Sequence, residues 1–185
     1  MNVYDFDGTI YSGDSTIDFY FWELKKHPVI MKAFCKQVMG VLKYAVKMID
    51  KTGMKSEFFS FLKYIDSVDE DVALFWEENE DKIENWYIEQ KEVSDVVISA
   101  SPEFLLEPIC TKLHIADLIA TNVDKSTGKI YGENCRGEEK VKRFSTKYKN
   151  MNVEKFYSDS RSDAPMASLA NEAYFIKKGK IESWG

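Results

Sequence analysis

Asp5-Phe6-Asp7-Gly8-Thr9 is the string in this chain with the most chemistry in it. Two acids two residues apart lie on one face of an extended segment, and Gly8 with its turn lets the chain fold back so that both can reach one point. A carboxylate at Asp5 can attack an electrophilic phosphorus and form an acyl phosphate, which splits one hard hydrolysis into two easier steps. It needs a cation beside it, because carboxylate and phosphate dianion repel. Mg²⁺ suits, since it takes hard oxygen ligands, usually one or two carboxylates plus substrate phosphate and water. Asp7 can then act as acid to the leaving oxygen and as base to water. An Asx-rich turn capping a helix accounts well for one acid and poorly for two.

Strand ends are what must position such groups. Three deliver a polar residue: Asp5 after Val3-Tyr4, Ser99 after Val96-Val97-Ile98, and Asp159 after Phe156-Tyr157-Ser158. In an open parallel sheet the carboxyl ends of strands are where ligands bind. Residues 1–12 read as a short strand and a turn, and Asp14 to Gln90 as helix almost free of strand signals. From Val96 onward strands and helices alternate. Pro102 to Leu113 reads as helix, Leu118 to Val123 as strand, Gly137 to Tyr148 as helix and Val153 to Tyr157 as strand. A turn at Lys125 to Gly128 precedes a short strand around Ile130 and Tyr131, Ala164 to Asn171 reads as the last helix, and the tail from Tyr174 to Ile181 as a closing hairpin. The expected fold class is α/β, with a mostly parallel sheet covered on both faces. The core comprises 1–12 and 92–185, interrupted by an all-helical insertion at 13–91.

Competing local roles follow from the same positions. Ser101, immediately before Pro102, is the better N-cap of its helix, which frees Ser99 for the site. Asp163 precedes Ala164-Pro165 and can cap the last helix, serve the site, or both. Lys140 lies early in a helix, where the dipole prefers anions, so an anion is expected nearby. Arg136 and Arg161 could meet a second anionic group or simply be exposed.

The insertion has an uneven charge layout. Between Lys25 and Lys47 lie six lysines and no acid, and Lys32, Lys36, Lys43 and Lys47 fall within about 60° of one helix face. Ile30, Phe34, Val38, Val41, Leu42, Ala45 and Ile49 form an apolar face beside them. Asp66 to Asp95 is the reverse, with twelve acids against Lys82 and Lys91. Two readings stand. The helices face solvent or each other in a small bundle, or the basic helix lies near anionic lipid or gathers an anionic substrate.

The opening string resembles motif I of the haloacid dehalogenase superfamily, most of whose members are Mg²⁺-dependent phosphatases. Val97 to Pro102 resembles motif II, Cys135 to Lys140 motif III, and Tyr157 to Asp163 motif IV. The resemblance implies a Rossmann-like core and a helical cap of the phosphoserine-phosphatase-like type. It implies Asp5 as nucleophile, Asp7 as acid and base, and Ser99 and Lys140 holding the phosphoryl group. Mg²⁺ would be held by Asp5, the Asp7 main-chain carbonyl and Asp159, supported from behind by Asp163. Asp14, Ala100, Ser101 and Arg136 become candidate substrate contacts. Two departures speak against phosphoserine as substrate. Ala100-Ser101 stands where such enzymes carry Gly-Gly, and Asp14 stands where they carry a Glu that reads the substrate amine. The patterns Ser-x-Ser-Pro, Cys-x-Gly-x-Glu-Lys and Tyr-Ser-Asp-Ser-x-x-Asp-x-Pro are similar to those of bacterial phosphatidylglycerophosphatase C-like proteins, whose substrate is a phospholipid monoester. The alternatives are a small-metabolite phosphatase, a phosphotransferase and a non-catalytic phosphate or Mg²⁺-binding module. A dehalogenase has no use for Asp7, and a receiver-type domain would not carry so long an insertion.

Bulk properties bound these readings. The chain has 185 residues, 44% hydrophobic and 14% aromatic, with Lys plus Arg 25 against Asp plus Glu 31. That is enough for one domain carrying an insertion. A net charge of −6 with only three arginines argues against general nucleic-acid binding. The longest stretch without Asp, Glu, Lys or Arg is eight residues, Ala164 to Asn171, so no bilayer-spanning helix is expected. Strand-like residues directly after Met1 leave no room for a signal peptide, and a cytoplasmic protein is expected. Cys35, Cys110 and Cys135 suggest neither disulfides nor zinc, and two histidines do not make a His-based metal cage.

Overall fold

The computed structural model describes residues 1–149 and 151–185. A six-stranded sheet of order β3-β2-β1-β4-β5-β6 is built from β1 (Asn2–Tyr4), β2 (Val96–Pro102), β3 (Asp117–Thr121), β4 (Val153–Ser158), β5 (Ala170–Lys177) and β6 (Lys180–Ser183). Every neighbouring pair is parallel except β5 and β6, which form the antiparallel closing hairpin. The α/β class expected from the alternation is thus present, with a mostly parallel sheet. β1 is short yet central: all three of its residues are buried, and it pairs β2 on one side and β4 on the other. The Asp5 N–H continues that ladder, donating to Tyr157 O at 2.8 Å. Tyr4, Tyr157 and Tyr174 stack across three adjacent strands, with centroids 4.7 and 4.9 Å apart, so this face of the sheet is an aromatic row.

Between β1 and β2 the regular elements are helical: α1 (Ser15–Lys26), α2 (Phe34–Ala45), α3 (Lys51–Phe58), α4 (Val68–Asn79) and α5 (Asn85–Gln90), with 3₁₀ segments at Pro28–Ala33 and Phe59–Tyr64. Phe19, Phe61, Phe75 and Trp76 from this region share one buried cluster with Tyr4 and Phe6 and with Leu105 and Ile109 of α6 (Glu103–Lys112). The Trp76 indole also donates to Leu105 O at 2.6 Å. The inner insertion is therefore fastened to the sheet by continuous apolar packing. Helices α7 (Glu138–Lys147) and α8 (Ala164–Ala167) cover the other face through a second cluster containing Val3, Phe144, Phe156 and Met166.

The two charged segments of the insertion meet at Lys26 and Asp71, whereas the lysines of α2 turn elsewhere. On α2, Lys36 and Lys43 turn to Glu57 of α3, at 3.2 and 3.4 Å. On α4, Asp71 pairs with Lys26 and Asp69 with Lys125 of the core. Gly40 makes the α2–α3 contact possible, since a Cβ there would lie 2.6 Å from the Glu57 Cβ. The apolar face expected on α2 divides as well. Ile30 is buried, whereas Phe34, Val38, Val41 and Leu42 are exposed.

Several sequence boundaries move. β2 runs through Ser101 and Pro102, because Pro102 (φ −62°, ψ 136°) is still extended and pairs with Thr121 past a register shift. Pro102 itself occupies the N-cap position of α6, so Ser101 does not cap it. The last helix, expected to reach Asn171, ends at Ala167, because from Ala170 the chain pairs with β4. Asp163 makes no capping bond there; its carboxylate is engaged elsewhere. β3 ends at Thr121, and the strand expected around Ile130 is a single bridge, Val123 with Ile130.

Candidate active site

Asp5 leaves the end of β1 with 8% of its surface exposed. The Phe6 N–H donates to its Oδ1 at 2.9 Å, Lys140 Nζ lies 3.0 Å away, and Ser158 Oγ is 3.4 Å from Oδ2. Burial pushes the Asp5 carboxyl up to about 7, against the pull of Lys140. Lys140, 1% exposed, bridges Asp5 and Asp163, the latter at 2.7 Å. Burial alone would lower its pKa, but the two carboxylates reverse the effect and it is held above its ordinary value. Ser158 Oγ also donates to Asp163 Oδ2, at 2.9 Å, which is where the carboxylate expected to cap α8 is spent. The anion expected beside Lys140 is thus a pair of buried carboxylates.

Gly8 turns the chain after Asp7. Its φ of +68° lies in the left-handed region, and a Cβ would fall 2.0 Å from Asp159 Oδ2. Only glycine lets the loop after β1 close against the loop after β4. The Thr9 hydroxyl accepts from the Asp159 N–H at 3.1 Å and ties the same two loops together. Asp7, half-buried, accepts from the Ser15 N–H at 2.7 Å and from the Ser101 hydroxyl. Burial raises its carboxyl to about 6, helped by the charge of Asp14 and opposed by the Ser101 and Ser15 hydrogen bonds.

Asp5, Asp7, Gly8 and Lys140 line one cavity of about 910 Å³, together with Ser99, Ala100, Ser101, Arg136, Asp14, Asp159 and Asp163. Every residue singled out from the sequence for this site therefore reaches the same cavity. They differ in how they present. Ser99 is buried and its Oγ accepts from the Ser101 N–H at 3.0 Å. Ala100 offers a main-chain carbonyl, which takes hydrogen bonds from Lys55 Nζ and Thr121 Oγ1, both at 2.9 Å. Ser101 holds Asp7 and lies 2.9 Å from Thr16 Oγ1. Asp14 is exposed and caps α1 through the Ile17 N–H at 3.0 Å. Arg136 and Asp159 are exposed at the mouth. Arg161 is not part of the cavity lining and instead lies over Phe175 and Trp184.

Sequence reasoning missed Lys55 and the wall of the insertion. Lys55 of α3 is half-buried over the cavity, and burial lowers its ammonium to about 8 despite Asp14 and Asp7. Nothing local marks it among the lysines of that region. The wall is apolar: Phe34, Val38, Val41 and Leu42 of α2, with Met54 and Phe58 of α3.

An α/β sheet that gathers buried carboxylates and one buried lysine at its carboxyl edge, under a helical insertion, defines a hydrolase class built around a carboxylate. The chain belongs to the haloacid dehalogenase-like hydrolase family, which matches residues 3–168, and is an enzyme of that family. Three solved structures share the fold. A protein of unknown function from Bordetella pertussis Tohama I has 17% identity and a TM-score of 0.74, with 94% of this chain and 87% of that one covered. A phosphoserine phosphohydrolase-like protein from Francisella tularensis has 14% identity and a TM-score of 0.60, covering 94% and 86%. A phospho-aspartyl intermediate analogue of phosphoserine phosphatase has 18% identity and a TM-score of 0.55, covering 92% and 83%. No curated protein matches the chain.

Proposed function

We propose that the protein is a Mg²⁺-dependent phosphomonoester hydrolase that works through an aspartyl phosphate on Asp5. The observation that carries this reading is the buried Asp5–Lys140–Asp163 chain, with Asp7 turned into the same cavity by Gly8. A carboxylate whose charge is opposed by burial and steadied by a fixed ammonium is reactive yet kept in place. Asp5 attacks phosphorus; the phosphorus–ester oxygen bond breaks, and the leaving oxygen takes a proton from Asp7. Water then attacks the acyl phosphate, Asp7 accepts its proton, and inorganic phosphate leaves while Asp5 is regenerated. A carboxyl near 6 suits both halves of that task at neutral pH. Ser99 and Lys140 hold the phosphoryl oxygens, and positioning with charge neutralisation supplies most of the rate.

The residues fit Mg²⁺. Asp5, Asp159 and Asp163 are hard oxygen donors, outnumber the single ammonium of Lys140, and include Asp163 Oδ1, buried with no hydrogen-bond partner among the described residues. Asp5, the Asp7 carbonyl and Asp159 would hold the ion, with Asp163 behind, and it would neutralise charge between carboxylate and phosphate.

Residues 1–12 and 92–185 act as the catalytic core in this reading, and 13–91 as the cap that selects the substrate. The departures at Ala100-Ser101 and Asp14, with the apolar wall on α2 and α3, favour a phosphate monoester with an apolar tail, a lipid phosphate of the phosphatidylglycerophosphate kind. The neighbour captured as a phospho-aspartyl analogue supports the chemistry by fold alone. Release of inorganic phosphate from an aryl phosphate, with Mg²⁺ and with EDTA, tests the mechanism. Turnover is expected only with Mg²⁺ and falls at least about a thousandfold in Asp5→Asn; activity retained in that variant refutes the assignment.

A further inference from the structure

Helix α2 carries its polarity the wrong way round for a helix that packs only on its own protein. Of its twelve residues only Gln37 and Gly40 are buried, whereas Phe34, Val38, Met39, Val41 and Leu42 are 40–56% exposed. The turn that follows adds Val46 at 67% and Met48 at 73%. At 100° per residue the apolar positions from Val41 round to Met39 span roughly 160° of the helix, against the narrow inward strip of Gln37 and Gly40. Lys36 and Lys43 run along one border of that arc, and Lys32 and Lys47 extend the stripe beyond the two ends. Among the described residues Lys36 and Lys43 pair with Glu57, while Lys32 and Lys47 make no ion pair. No acid interrupts the chain from Lys25 to Lys47, although the whole protein carries a net charge of −6.

We propose that this face of the insertion docks on an anionic lipid bilayer. The apolar arc lies at the boundary of the acyl chains and the lysines at headgroup level, the arrangement of an interfacial amphipathic helix. A second copy of the chain fits less well, because its own lysine stripe would meet this one across a face whose Glu57 is already taken by Lys36 and Lys43. No helix of the described residues is long and apolar enough to cross a membrane, so the contact is peripheral. The cavity opens through the same residues, since Phe34, Val38, Val41 and Leu42 are both its wall and part of the exposed arc. A phosphate monoester held in the bilayer by an apolar tail thus reaches Asp5 along a continuous apolar path. That last step rests on the phosphatase reading; the docking does not.

Co-sedimentation of the full chain with phosphatidylglycerol–phosphatidylcholine vesicles, and with pure phosphatidylcholine vesicles, tests it. Binding is expected to the anionic vesicles only, and to fall at least tenfold at high salt and in Lys32→Glu/Lys47→Glu, each lysine counting for about 1 kcal/mol near such a surface. Met39→Ser/Val46→Ser should also weaken it while turnover of a soluble aryl phosphate stays unchanged, because neither residue lines the cavity. No binding, equal binding to both vesicles, or binding indifferent to both double variants overturns the proposal. So does a wild-type dimer in light scattering that Met39→Ser/Val46→Ser dissolves, which assigns the face to a second copy. Vesicle binding without aryl phosphate turnover would overturn the phosphatase reading and leave the docking standing.

Discussion

Lys140→Met removes the one ammonium between two buried carboxylates while nearly keeping its volume. At 3.0 Å from Asp5 and 2.7 Å from Asp163, each attraction amounts to about 5–6 kcal/mol at an effective dielectric of about 20. Desolvation of three charges cancels most of that, but breaking a buried pair by deleting one partner still costs about 3–5 kcal/mol, because the survivors are left uncompensated. For a chain of this length 1 kcal/mol moves the melting temperature by about 2–4 °C, so a fall of about 6–20 °C is expected at pH 8. The loss must depend on pH. Without Lys140 the facing Asp5 carboxyl rises further above its unfolded value, and the folded state keeps a proton that the unfolded chain has released. Groups with raised folded pKa values stabilise most below the unfolded pKa, near 4 for aspartate, and progressively less as pH rises through the folded value. The deficit of the variant is therefore small near pH 4.5 and grows toward pH 8. Thermal melts across that range in EDTA, beside aryl phosphate turnover, measure it. A variant melting within about 2 °C of the parent at pH 8, or a deficit that does not change with pH, would refute Lys140 as the charge that holds the site together.

Glu23 offers a second, catalysis-independent check. It is fully buried, neither carboxylate oxygen has a hydrogen-bond partner among the described residues although His27 Nε2 lies 4.0 Å from Oε2, and burial, then the neighbouring Asp71, pushes it up to about 8 despite Lys26. Stability should therefore fall as pH rises from about 4.5 through 8; Glu23→Gln should remove that slope, matching the parent near pH 5 and exceeding it by on the order of 2–4 kcal/mol above pH 8 in urea titrations. Ser101→Ala takes away a hydrogen bond that holds the Asp7 carboxyl down, so the Asp7-controlled limb of the kcat profile should move to higher pH, and an unmoved limb separates Asp7 from the proton transfer. Gly8→Ala places a Cβ 2.0 Å from Asp159 Oδ2 at a φ of +68°, and should weaken Mg²⁺ activation about tenfold or more, read as the Mg²⁺ concentration at half-maximal rate.

What the sequence determined was everything short-range order can encode. Alternating buried strands and amphipathic helices set the α/β class, because periods of 2.0 and 3.6 are properties of the chain itself. The acids at Asp5 and Asp7, the Gly8 turn, and polar residues at three strand ends named the site, because a parallel sheet brings all such ends to one edge. Only the tertiary structure decided the rest. Ser101 looked like a helix cap until the pairing of Pro102 with Thr121 carried β2 past it, leaving its hydroxyl for Asp7. Asp163 looked like a cap too, until Lys140, twenty-three residues away, claimed its carboxylate. Lys55 carried no local mark, since its place above Ala100 depends on how α3 lies over the sheet. The α2 face read either as the apolar side of a small bundle or as a face near anionic lipid or substrate; whether it is covered depends on which helices pack beside it, a long-range outcome that periodicity along one helix does not contain.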